Sequence, residues 1–67
     1  MEISARNQLK GKVKHVTPGA VMGEVVVDVA GQEVVAMISK SSVERLGLKP
    51  GDAVVAIIKA TEVMIGK

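Results

Sequence analysis

Hydrogen-bond donors gather near both ends of this 67-residue sequence. Ser4, Arg6 and Asn7 place a hydroxyl, a guanidinium and an amide close together, and Lys59 and Thr61 add an ammonium and a second hydroxyl near the other end. None of these groups carries a negative charge. A buried dianion must be matched by positive charges and hydrogen-bond donors, so the set suits such a ligand. Arg6 and Lys59 supply the two positive charges.

Two further hydroxyls lie in the middle of the chain. Ser39 and Ser42 bracket the predicted start of a short helix, where unpaired N–H groups and the positive end of the helix dipole favour an anion. Three groups of donors could therefore converge on one oxyanion. Spacing alone nevertheless favours a simpler interpretation. In it Ser4 belongs to a disordered terminus, Ser41 and Ser42 only cap the helix, and Arg6 and Lys59 are ordinary surface charges.

Catalysis and metal binding have little support in the sequence. The chain has one histidine and no cysteine, and its carboxylates are scattered through predicted turns and strand faces. His15 is therefore without partners for nucleophilic, acid–base or metal chemistry. We expect a protein that is not an enzyme and that holds no bare metal cation.

The composition predicts one small domain, residues 1–67, that needs other copies of itself. Hydrophobic residues make up 48% of the chain, but none is aromatic, so the core must be aliphatic. Ordering a residue costs about 1.5 kcal/mol, and in so small a chain this cost nearly cancels the gain from burial. Without a disulfide or a zinc site, burial between subunits is the remaining source of stability. We therefore expect an obligate homo-oligomer.

A membrane location is not expected, whereas a nucleic-acid interaction stays open. No uncharged apolar run approaches the roughly 20 residues that span a bilayer, and the amino terminus lacks the apolar core of a secretory signal. We expect a cytoplasmic protein.

The net charge is +2, and Lys10, Lys12 and Lys14 alternate along a predicted strand opposite Val13 and His15. The alternative function is thus a basic module that binds nucleic acid or a protein partner, although aromatic stacking platforms are missing.

Five short strands must position these residues. Alternation of residue types predicts a strand over residues 7–16, and a run rich in β-branched residues predicts a second over residues 22–29. Residues 34–38 follow at a spacing that fits a third strand paired with the second in a hairpin. Residues 53–59 are nearly all apolar, which predicts a strand buried on both faces. Residues 63–65 form a last short strand. The fold class is all-β, a small closed five-stranded barrel of the OB type, in which closure removes exposed strand edges.

One short helical turn interrupts the strands. Ser41 and Glu44 have the spacing of a capping box, which predicts that the helix begins there. Val43 and Leu46 share its predicted inner face, and Gly47 ends it in the left-handed conformation. Residues 46–52 are also similar to a segment of swapped-hairpin regulators of the AbrB type. No basic DNA-facing loop accompanies that segment here.

A more specific resemblance extends over the whole chain. Ser4-Ala5-Arg6-Asn7-Gln8, followed at once by Leu9-Lys10-Gly11-Lys12-Val13, closely resembles the opening of the molbindins, small molybdate-binding Mop proteins of the TOBE/Mop domain type. The similarity continues through Gly23-Glu24-Val25-Val26-Val27, Met37-Ile38-Ser39 with Ser42-Val43, Leu46-Gly47-Leu48, Pro50-Gly51, and Ile58-Lys59-Ala60-Thr61-Glu62-Val63-Met64-Ile65.

This resemblance implies a cytoplasmic protein that binds molybdate or tungstate for storage or homeostasis of molybdenum. It implies an OB-like barrel assembled as a homo-hexamer, a trimer of dimers, with oxyanions held between subunits and no nucleic acid bound. The implied site combines hydroxyl, cationic and backbone N–H donors of one subunit with two hydroxyls of its neighbour. One subunit contributes the Ser4 and Thr61 hydroxyls, the Arg6 guanidinium, the Lys59 ammonium and the backbone N–H groups of Ala5, Asn7 and Ala60, and its neighbour contributes Ser39 and Ser42.

Overall fold

An antiparallel sheet of four strands forms the body of the molecule, and the computed structural model describes residues 1–67. The sheet has the order β3-β2-β1-β4, so β1 lies between β2 and β4. The elements in chain order are β1 (Asn7–Pro18), β2 (Met22–Val29), β3 (Gln32–Ser39), helix α1 (Lys40–Leu46), β4 (Ala53–Ile58) and one turn of 3₁₀-helix (Ala60–Glu62).

Valines from the two central strands form the core. Val13, Val25 and Val27 are each no more than 4% exposed. Val13 pairs with Val27 and Val16 with Val25 across the β1–β2 ladder, so these side chains lie on one face of the sheet. Around them pack half-buried hydrophobic residues from every element except the 3₁₀-helix: Val16, Val29, Ala36, Ile38, Val43, Leu48 and Val54.

The predicted β2–β3 hairpin is confirmed, with a tighter turn than expected. Ala30 and Gly31 alone form the turn, and both have positive φ angles, 50° and 86°. The Gly31 N–H donates to the Asp28 side chain at 3.0 Å, which stabilises this conformation. Gln32 and Glu33 therefore belong to β3 instead of the turn.

A β-bulge in β1 changes which residues face the core. The pairing with β2 shifts between Val13 and His15, so Lys14 is the extra residue. The prediction that His15 shares a face with Val13 is wrong, because an extra residue reverses the alternation beyond it. Val16 packs against the core instead, and His15 is exposed.

The start of α1 also differs from the prediction. Ser39, still extended at φ −65° and ψ 148°, is the N-cap, and its Oγ accepts from the Ser42 N–H at 3.1 Å. Ser41 lies inside the helix, so the predicted Ser41–Glu44 capping box is wrong. The cap is decided by where β3 ends, which no local spacing reveals.

The end of α1 matches the sequence in part. Gly47 takes the predicted left-handed conformation, with φ 60° and ψ 38°. Val43 packs against the core as expected, whereas Leu46 is 63% exposed and the expected inner position falls to Leu48. Neither this helix nor the 3₁₀-turn has the length and apolar character that crossing a bilayer requires.

The sheet is open on one side, and the fifth predicted strand is absent. Residues 63–65 pair with nothing, and Met64 and Ile65 are each 91% exposed. β3 and β4 are the two edges of the sheet and do not pair with each other, so the chain alone shows no closed barrel. A groove lined only by hydrophobic residues runs along these two strands. In β4 half-buried and exposed residues alternate, so this strand is not buried on both faces.

Candidate oxyanion site

The two ends of the chain meet at one edge of the sheet. β1 and β4 are antiparallel, and their ladder ends at the pair formed by Asn7 and Ile58. Arg6 directly precedes β1 and Lys59 directly follows β4, so the structure brings the two cationic segments together. Residues 59–61, which include the 3₁₀-helix residues Ala60 and Thr61, are exposed there.

Both cations lie outside the ion pairs of the molecule. Arg6 and Lys59 are exposed, and neither takes part in either of the two salt bridges in the structure. The backbone N–H groups of Ala5, Arg6 and Ala60 are likewise absent from the hydrogen bonds formed outside the regular elements. The site therefore presents two cations without an ion-pair partner beside these backbone donors.

Two carboxamide side chains organise the amino-terminal part of this edge. Asn7 Nδ2 donates to the Ile58 carbonyl oxygen at 3.1 Å, and Gln8 Nε2 donates to the Ala5 carbonyl oxygen at 2.7 Å. The sequence analysis counted the Asn7 amide among the donors, and the family resemblance implied a role for its backbone N–H, but the structure shows the side-chain amide donating to the Ile58 carbonyl oxygen. Gln8 was not among the predicted site residues. The available signal was the succession of two carboxamides directly after the donor segment.

The hydroxyls at the start of α1 form a cluster of their own. Ser39 Oγ accepts from the Ser42 N–H, donates to Ser42 Oγ at 2.8 Å, and lies 3.2 Å from the Oγ of Ser41. Ser41 was not among the predicted site residues. The Lys40 N–H donates to the Val21 carbonyl oxygen at 2.8 Å, so part of the helix start is satisfied within the chain. The Ser39 hydroxyl hydrogen is used within the cluster, whereas the Ser42 hydroxyl only accepts there and keeps its hydrogen for a ligand.

These hydroxyls lie far along the sheet from the cationic edge. Ser39 pairs with Met22 of β2, and the next residue of β2, Gly23, pairs with Pro18 at the carboxyl end of β1. Arg6 precedes the amino end of the same 12-residue strand. The register therefore places the two donor groups at opposite ends of β1.

The lysine row on β1 is interrupted. Lys14 occupies the bulge and forms a hydrogen-bonded ion pair with Glu33. The hydrogen bond and the attraction between the charges raise the pKa of Lys14 and lower the pKa of Glu33. Only Lys10 and Lys12 remain as unpaired lysines of the row.

No group of three or more histidine, cysteine, aspartate or glutamate residues is arranged to hold a metal cation.

Comparison with known proteins identifies the family. The family model described as the TOBE domain matches residues 3–65. The chain belongs to the TOBE domain family. Molybdenum-pterin-binding protein 3 of Clostridium pasteurianum is 54% identical to this TOBE domain over 66 residues, which is 97% of each chain. The resemblance to Mop proteins inferred from the sequence is thereby confirmed.

Solved structures agree with this TOBE domain along its length. A molybdate-binding protein from Sporomusa ovata superposes with a TM-score of 0.95 and 48% identity, and the match covers all of both chains. The cytoplasmic molybdate-binding protein ModG, in a form with molybdate bound, superposes with a TM-score of 0.84 and 46% identity. That match covers 90% of this chain and 43% of ModG. The predominantly β fold with one short helix is therefore shared with these proteins.

Proposed function

We propose that this TOBE domain binds molybdate, or the similar oxyanion tungstate, and holds it in the cytoplasm for storage or homeostasis of molybdenum without catalysing a reaction. The observation that carries the proposal is the end of the β1–β4 ladder, where Arg6 and Lys59 come together with no carboxylate paired to either. Two molybdate-binding proteins with nearly the same chain fold support it.

A pocket of donors selects its anion by charge and size. A dianion satisfies two cations, and every one of its oxygens accepts hydrogen bonds. Phosphate near neutral pH usually carries a proton, which the cations and N–H donors of the pocket cannot accept. Sulfate has the right charge but shorter bonds, so a pocket sized for molybdate reaches its oxygens imperfectly. Tungstate is nearly the size of molybdate and fits equally well.

The complete pocket, in this proposal, is shared between subunits of a hexamer built from three dimers. One subunit contributes Ser4, Arg6 and Lys59 with the backbone N–H groups nearby, and the neighbouring subunit contributes Ser39 and Ser42. The separation of these two groups along β1 supports a shared pocket. The hydroxyl hydrogen of Ser42 is not used in the serine cluster and is a suitable donor to the ligand.

Exposed apolar surface supports the proposed oligomer. The groove along the edge strands β3 and β4 is lined only by hydrophobic residues, and Val35, Met37 and Ile57 are 59%, 57% and 46% exposed. Open strand edges and exposed apolar patches of this kind are unfavourable in water unless another chain covers them. Residues 63–65 are apolar and pair with no strand of their own chain. In this proposal they form the predicted strand by pairing with another subunit.

Titration calorimetry with molybdate, tungstate, sulfate and phosphate tests the proposal, with the assembly mass measured by light scattering in the same buffer. We expect molybdate and tungstate to bind with micromolar or tighter dissociation constants, equivalent to about −8 kcal/mol or better. Sulfate and phosphate should bind much more weakly.

The absence of heat with molybdate and tungstate, from a protein of the expected mass, would contradict the proposal. Titration with single- and double-stranded nucleic acid then distinguishes the alternative function. That alternative requires affinity that falls steeply with salt and depends on Lys10, Lys12 and Lys14.

A further inference from the structure

We propose that the side chains of Asn7 and Gln8 are positioning groups that hold residues 4–6 in the shape that binds the oxyanion. The inference rests on the proposed function. It assigns these two carboxamides a task distinct from ligand contact, because each is already bonded to a carbonyl oxygen of the protein.

Asn7 joins the two donor segments directly. Its Nδ2 donates to the Ile58 carbonyl oxygen, a bond that connects residues 51 positions apart in the sequence. Asn7 is half-buried, and its pair with Ile58 is the last of the β1–β4 ladder. Beyond this point no ladder pair holds the strands together, so the side chain ties Arg6 and Lys59 to one place where both backbones would otherwise diverge.

Gln8 sets the direction of one peptide group. Its Nε2 donates to the Ala5 carbonyl oxygen at 2.7 Å. A trans peptide is planar, so the Arg6 N–H must point opposite to that carbonyl. With the carbonyl turned back toward β1, the Arg6 N–H points away from it, and this N–H makes no backbone hydrogen bond outside the regular elements. Gln8 therefore keeps a backbone donor directed outward.

Pre-organisation gives these bonds their value for binding. Residues 1–6 belong to no helix or strand. If they became ordered only on binding, the loss of conformational entropy would weaken the affinity for the ligand. Bonds that order the segment beforehand remove that cost. The net value of one such hydrogen bond corresponds to about three- to tenfold in affinity.

Three variants test the proposal in the complete assembly. Asn7→Ala removes the carboxamide but keeps the backbone N–H that was predicted to contact the ligand, and Gln8→Ala removes the second bond. Gln32→Ala is the matched control. The Gln32 side chain is an exposed carboxamide at the start of β3 and makes no side-chain hydrogen bond. Molybdate affinity is measured by calorimetry, the ligand-free unfolding midpoint by thermal denaturation, and the assembly mass by light scattering.

Asn7→Ala and Gln8→Ala should each weaken molybdate binding by about three- to tenfold, while their ligand-free midpoints and masses match those of Gln32→Ala. Unchanged affinity in both variants would overturn the positioning role and leave the proposed function intact. Affinity that falls only together with the ligand-free midpoint or the mass would also overturn it, since a purely structural role explains that result. Failure of the unmodified protein to bind molybdate refutes the proposed function itself, and the positioning role with it.

Discussion

Arg6 is the single side chain on which the proposed pocket most depends. It carries one of only two positive charges at the end of the β1–β4 ladder and is unpaired in the chain. Arg6→Ala should cost about 2 kcal/mol or more of binding free energy, roughly a 30-fold rise in the dissociation constant for molybdate. Because Arg6 is exposed, the fold and assembly should persist.

Arg45→Ala provides the control for Arg6→Ala. Arg45 is the other arginine of the chain, is exposed in the last turn of α1, and lies outside the proposed site. Calorimetry should give it the affinity of the unmodified protein. Equal affinities for Arg6→Ala and Arg45→Ala would refute the pocket as proposed.

The Lys14–Glu33 pair predicts a pH dependence of stability. Its hydrogen bond lowers the pKa of Glu33, so the contribution is present above the unfolded pKa of the carboxyl and is lost as pH falls through its folded pKa. It also raises the pKa of Lys14, so the contribution is lost again as pH rises through the folded pKa of the ammonium. Both groups are exposed, so the effect should be small and should shrink in high salt.

Thermal unfolding of Glu33→Gln measures this contribution. The variant should have a slightly lower midpoint than the unmodified protein near neutral pH, and the difference should vanish at acid pH where Glu33 is protonated. Glu44→Gln, which removes an unpaired carboxylate, serves as the control. A Glu33→Gln difference that is the same at neutral and acid pH would contradict the assignment.

At the scale of elements, α1 depends on the serine that precedes it. Ser39 Oγ accepts from the Ser42 N–H, so Ser39→Ala should lower the free energy of unfolding by about 1 kcal/mol, as loss of an N-cap usually does. Ser39→Asp keeps a capping oxygen and should retain stability. It places a negative charge in the proposed pocket and should therefore abolish molybdate binding.

Urea denaturation and calorimetry of the same variants separate the two roles of Ser39. Ser41→Ala is the control, since Ser41 lies inside α1 and caps nothing. Equal stability of Ser39→Ala and Ser41→Ala would refute the capping assignment. Undiminished molybdate binding by Ser39→Asp would remove Ser39 from the pocket.

For the whole molecule, the exposed carboxyl-terminal segment reports on assembly. Ile65 is 91% exposed, so Ile65→Glu loses almost nothing within one chain. Any large effect must come from contacts with other copies. We expect light scattering to show a smaller assembly for Ile65→Glu and calorimetry to show weakened molybdate binding, because the proposed pocket is shared between subunits.

Lys67→Glu adds the same acidic side chain in the same exposed segment without removing apolar surface. It should leave the assembly mass unchanged. If Ile65→Glu has the mass and affinity of Lys67→Glu, the segment takes no part in assembly.

Local features were predictable from the sequence because local chemistry determines them. Alternation, β-branched residues and hairpin spacing placed β1 to β3 close to their observed bounds, and the left-handed Gly47 ended α1 as predicted. The donor groups could be recognised from the sequence for the same reason, since residue type alone identifies guanidinium, ammonium and hydroxyl groups. The family resemblance then extended these local features to one fold.

Only the tertiary structure decided features that depend on register. The bulge at Lys14 turned His15 away from the core, and the end of β3 made Ser39 the cap in place of Ser41. The antiparallel β1–β4 ladder placed Arg6 beside Lys59, while the β2–β3 register kept Ser39 away from both. Such relations are set by pairing between strands distant in sequence, and the periodicity of a single strand carries no information about its partner.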